Sequence, residues 1–211
     1  GMDAQLENWE NILNNTDLSE LDPTITARIK FTYDLESLQQ SIDDAKAVAE
    51  NGGDSSDWAE VLAGQQNYRN TAENELGFNS EGFEPPDEYV QLTDSLSEMQ
   101  ERLSELKGED KIDMQEQMSS LYDIQNGLLE AFTMENPDIN SDTSPEVLNE
   151  AWGNFMDNVS LTDIVANLDI NDEEAIQKIA EIFDVSEESI IMTITARDNA
   201  TETINSVSEK D

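Results

Sequence analysis

The chain has 211 residues, with 49 acidic against 10 basic side chains, a formal charge of −39, and neither histidine nor cysteine. Those absences exclude disulfides, iron–sulfur clusters, thiol nucleophiles, imidazole bases, Ser-His-Asp machinery and ordinary zinc or di-iron sites. The charge repels nucleic acid and anionic membranes at ordinary ionic strength, and it points to cationic partners or a salty solvent.

Gly1 before Met2 reads as a remnant of tag cleavage with no signal-like segment behind it, which predicts a cytoplasmic protein. The longest uncharged apolar run, Ser189 to Ala196, is far too short to span a bilayer, so no membrane contact is expected. Asp3 can cap a short docking helix through Leu6, Trp9 and Leu13, ended by Asn14, Asn15 and Thr16. Asp22 and Pro23 then introduce Ile25, Ala27, Ile29, Phe31, Tyr33 and Leu35, which alternate with polar residues; period two predicts a strand with one buried face.

Asp34 opens a helix to about Glu50, with Leu35, Leu38, Ile42, Ala45 and Ala49 on its seam and Asn51-Gly52-Gly53 as its stop. Ser56 or Asp57 caps the next, lined by Trp58, Leu62, Tyr68, Ala72 and Leu76. The loop Phe78 to Asp87, with Phe78, Phe83 and Pro85-Pro86, is expected to fold its rings back onto the bundle. Tyr89, Leu92, Leu96, Met99, Leu103 and Leu106 mark a helix that turns at Lys107-Gly108-Glu109. The following helix, with Met114, Met118, Leu121, Gln125, Leu128 and Phe132 on its seam, should complete a long antiparallel hairpin. Ser144-Pro145, Ser160 and Asp172 open three shorter helices.

The end of the chain supports two readings. Ile179-Ala180, Phe183, Val185-Ser186 and Ile190 resemble a helix-turn-helix, with the serine capping a recognition helix. Five β-branched residues between Ile190 and Thr195 favour a strand instead, and Thr193 to Arg197 repeats Thr24 to Arg28 residue for residue. The strand is preferred. The expected fold is α+β and predominantly helical, an antiparallel bundle with two short strands near the chain ends. Residues 1–135 would hold docking helix, strand and bundle, and 136–211 a smaller helical region ending in a strand and packed on that bundle.

Little chemistry survives. With 49 carboxylates in 211 residues, acidic pairs three apart arise readily by chance, and no set matches the two-pair spacing of helical magnesium-dependent nucleotide pyrophosphohydrolases. Asp138, Asn140 and Asp142 resemble the alternating oxygen ligands of an EF-hand loop and are the metal candidates, but Thr143 and Asn149 stand where that loop needs glycine and a bidentate glutamate. Gly53-Asp54-Ser55 resembles an esterase nucleophile block whose triad requires a histidine this chain lacks. The sequons at Asn14, Asn158 and Asn199 read as coincidence in an asparagine-rich chain.

No enzyme and no cofactor is expected. The favoured function is a highly acidic interaction or assembly protein with a basic protein partner, suited to a salt-adapted or viral source. One alternative is a DNA mimic occupying a basic DNA-binding protein, although duplex DNA concentrates about one charge per 1.7 Å of axis and these acids are scattered. The other is a helix-turn-helix regulator, opposed by fifteen carboxylates and no Lys or Arg between Ile112 and Gln177, and by Glu187 and Glu188 at the recognition position. The interaction candidates are Phe78, Phe83, Trp152 and the edge residues Arg28 and Lys30; exposed strand edges would permit a homodimer.

Overall fold

The computed structural model describes residues 2–15 and 21–208; Gly1 and Thr16, named above as a remnant and a helix end, lie outside that range. The described residues form α1 (Met2–Asn15), α2 (Pro23–Glu50), α3 (Ser55–Glu75), α4 (Asp87–Leu103), α5 (Gly108–Glu135), α6 (Pro145–Asn158), α7 (Leu161–Val165), α8 (Glu173–Phe183) and α9 (Glu187–Ser208). No strand occurs among them, so the expected α+β architecture is corrected to an all-helical one.

Both predicted strands lie inside helices. Ile25 to Tyr33 occupies the first turns of α2, whose cap is Asp22: its carboxylate accepts from Thr24 N at 2.8 Å, and Pro23 sits in the first turn, where a missing N–H costs nothing. Burial on α2 follows Phe31, Leu35, Ile42 and Ala49, a helical spacing, while Ile25 stands 51% exposed. The alternation that suggested a strand therefore has no buried face behind it. Ser189 to Arg197 lies in α9, where Ile190 and Ile194 are buried, Thr193 and Arg197 are half-buried, and the positions between them face outward. Each β-branched residue costs a helix at most about 0.7 kcal/mol relative to alanine, and burial of two isoleucines outweighs that. Without strands there is no sheet edge for Arg28 and Lys30 to form, nor one for edge-to-edge dimerisation, among the described residues.

Helix α5 is the axis. Met118, Leu121, Ile124, Leu128, Leu129 and Phe132 are fully buried along one side, and residues 118–126 are buried without a break, as only a helix surrounded on every side can be. α3 packs along it, α2 packs on α3, and α1 lies on α2 through half-buried Leu6, Trp9 and Leu13. α4 completes the predicted hairpin with α5, burying Tyr89, Leu92, Leu96, Met99 and Leu103. One apolar cluster runs from Phe31 in α2 to Ile194 in α9, and a satellite of Ala49, Trp58 and Val61 sits under the α2–α3 turn.

α6 is fastened by Trp152, whose ring stacks on Phe132 at 3.9 Å between centroids and meets Phe78 and Phe155 edge-on at 5.7 and 5.4 Å. α7 approaches α5 at Gly127, where an added Cβ would come within 2.9 Å of Ile164 Cγ2. α8 and α9 are joined by a tight corner. Asp184 takes the left-handed conformation at φ 51°, Val185 N donates to Ala180 O at 3.0 Å, and the Ser186 hydroxyl accepts from Ser189 N at 3.2 Å.

Trp152→Ala should destabilise the protein by about 3–5 kcal/mol in urea unfolding, because its cavity opens in the centre of the aromatic cluster. Trp152→Phe should cost much less, since the buried indole Nε1 has no acceptor to lose; equal costs for the two variants would contradict the stacking account.

Candidate functional site

The interaction candidates fall into two groups. Phe83 and Trp152 are buried, and Phe78 lies 4.9 Å from Phe83 and 5.2 Å from Tyr89 between ring centroids, so these rings join the α3–α4 loop to α6 and α5. Arg28 donates to Thr133 O at 2.6 Å and lies over the Phe31 ring, linking α2 to the end of α5. Lys30 is exposed and pairs one turn on with Asp34 at 2.8 Å. In the loop before α6, the Asn140 carboxamide oxygen accepts from Asp142 N at 2.8 Å, and Asn140 N donates to the Thr143 hydroxyl at 3.0 Å. That loop is organised by its own turn bonds. Among the described residues no group of three or more acidic side chains is placed to hold a metal ion.

Sequence reasoning missed a buried polar seam along α5. Asp123 is 8% exposed, in the middle of the most deeply buried helix, and its carboxylate accepts from Lys46 Nζ on α2 and from Gln65 Nε2 on α3, the latter at 3.0 Å. Gln65 Nε2 is also shared with Ser119 O, and Asn126 Nδ2 donates to Gln65 O at 3.1 Å. Further along, Gln125 donates to Thr93 Oγ1 at 2.7 Å and accepts from Arg69, while Gln115 donates to Ser55 O. The signal was available in principle: a charged residue between Tyr122 and Ile124 on an apolar stripe needs a buried counter-charge. Which lysine supplies it, 77 residues away, is set by the packing of α2 on α3, which brings the Lys46 side chain to α5.

This seam opens at one end into a cleft of about 780 Å³ between the end of α2, the Gly52-Gly53 turn, the first half of α5 and the segment before α8. Glu50, Glu109, Glu116, Asp123, Asp169, Asp172 and Glu173 line it, with Lys46 as the cation in the lining. Burial raises the Glu116 carboxyl above its ordinary range, and Asp113, Asp172, Glu109 and Glu50 add repulsion. Glu50 is raised by burial and by Asp169. Burial also raises Asp123, against the opposing pull of Lys46 and Gln65. The cleft therefore concentrates negative potential, while its lysine is committed to Asp123. Its polar lining consists of these carboxylates, the Lys46 amine, the Ser119 and Ser120 hydroxyls and Asn171.

No family model, curated protein or solved structure matches the chain. No helix among the described residues is long and apolar enough to cross a membrane.

Two outcomes follow from the buried pair and its surroundings. Lys46→Met or Asp123→Leu alone should each cost about 3–5 kcal/mol by stranding a buried charge, whereas the double variant should cost less than the sum; additive losses in a denaturation cycle would contradict direct coupling. Stability should also vary with pH in a defined sense. Because Glu50, Glu116 and Asp123 are raised on folding, the folded state holds more protons between the ordinary and raised values. Stability should therefore increase as pH falls from 7 towards about 5. Asp54, capping α3, is lowered by bonds from the Ser56 hydroxyl and the backbone N–H groups of Asp57 and Ser56. Its contribution is present above the ordinary aspartate value and lost as pH falls through the lowered one. A urea midpoint that falls steadily from pH 7 downwards would contradict this account.

Proposed function

We propose that the protein is a non-enzymatic interaction or assembly module that recruits a basic protein partner by long-range attraction. The carrying observation is the convergence of seven carboxylates on one cleft whose lysine is already paired. At −39 overall, encounter with a cationic surface is steered from well outside contact distance and weakened by salt. Two copies of the chain, and the chain with nucleic acid, repel each other by the same field.

The test uses oligolysine as the basic probe in isothermal titration. Binding should weaken steeply from about 0.05 to about 0.5 M KCl. Neutralising Glu50, Glu116 and Asp172 together should reduce affinity more than neutralising Glu98, Glu101 and Glu105, which are exposed on α4 and in the turn after it. Equal reductions would mean that bulk charge alone is at work, and absence of any binding at low salt would overturn the reading.

A further inference from the structure

The corner between α8 and α9 carries a feature that the basic-partner reading does not use. Of the eight large apolar side chains that stand exposed among the described residues, three fall within 185–192: Val185, Ile191 and Met192, at 37%, 47% and 63% exposure. The other five are dispersed over α2, α4, α5 and α6. On α9 the inward positions Ile190 and Ile194 are satisfied by the core, so Ile191 and Met192 belong to the opposite, unpartnered face. Glu188 precedes them by one turn and Thr195 follows, so the exposed face is apolar in its middle and acidic at its start.

The order of elements here resembles a helix-turn-helix: α8, a left-handed corner at Asp184, a serine cap, then α9. Side-chain chemistry decides what such a face can meet. Glu181, Asp184, Glu187 and Glu188 are all exposed around the corner, and they would repel phosphates. Arg197, the basic residue of α9, lies on the inward side and is hydrogen-bonded to Asp198. A second copy would bring the same four carboxylates against these. The charge that excludes both occupants favours a segment with an apolar stripe and flanking lysines or arginines.

We propose that the outward face of α9 around Ile191 and Met192 is a docking surface for a basic amphipathic helix of a partner protein. This rests on the basic-partner reading and deepens it: the acidic field brings the partner in, and the two apolar side chains select one that also carries a hydrophobic stripe.

The experiment compares two labelled probes at matched charge, a leucine–lysine amphipathic helical peptide and oligolysine, by titration and by amide chemical-shift mapping of the full chain. The leucine–lysine peptide should bind more tightly and shift the amides of 185–195. Ile191→Ser with Met192→Ser should weaken it by about tenfold while leaving oligolysine binding unchanged. Both positions are exposed, so an unchanged circular dichroism melt establishes that the variant is folded. Equal affinity of the two probes, shifts confined to the cleft, or indifference to the double variant would overturn the docking surface while leaving the basic-partner reading intact. Failure of both probes to bind at low salt would overturn both. Shifts in 185–195 caused by duplex DNA, or a dimer in high salt that the double variant abolishes, would assign the face to a different occupant and overturn the proposal.

Discussion

The contact between Lys46 and Asp123 ties the architecture together. α5 is enclosed by its neighbours, and enclosing it takes a carboxylate out of water. An unpaired charge there would cost several kcal/mol, so α2 must approach in the register that brings its lysine to that point, and α3 in the register that brings Gln65. Apolar burial alone would tolerate sliding of one helix along another. The polar seam from Gln115 to Asn126 favours one alignment, because each amide nitrogen finds its acceptor only at a single offset.

The rest of the charge is accommodated where it does least harm. Asp22, Asp54 and Asp172 cap helices, and Asp87, Glu88, Glu109, Asp110, Glu146, Glu187 and Glu188 occupy first turns, where free N–H groups and the helix dipole favour anions. The opposite ends receive almost no cations; Arg102 in the last turn of α4 is the exception among the described helices. Carboxylates thus help to start helices, while self-repulsion accumulates over the exterior. In the acidic cleft several of these carboxylates converge, and burial with mutual repulsion raises Glu50 and Glu116.

The α8–α9 unit separates backbone form from chemical content. Its corner and caps can be drawn from the order Ala180, Asp184, Ser186 and Ile190, and that order resembles the motif that places a helix in a DNA groove. The outward residues are acidic and apolar instead of basic and amide-bearing. A fold element therefore predicts a presentation, and the side chains it presents determine the partner.

The aromatic loop, the α4–α5 hairpin and the caps at Ser144 and Asp172 were legible because each depends on local spacing or on a short-range backbone bond. The α5 seam showed only as Gln125 on a stripe; its partners came from α2, α3 and α4, remote in sequence. The clearest division concerns Thr-Ile-Thr-Ala-Arg, present at 24–28 and again at 193–197. Its β-branched content suggests a strand both times, and both copies are helical. Ile25 is exposed while the equivalent Ile194 is buried, so five identical residues have different surroundings. Composition and spacing determined that the chain is acidic, rich in amphipathic helices and devoid of imidazole and thiol chemistry. Tertiary packing decided which faces are buried, which charge meets which, and that both end segments are helices, because intrinsic preferences of a few tenths of a kcal/mol per residue yield to burial and capping.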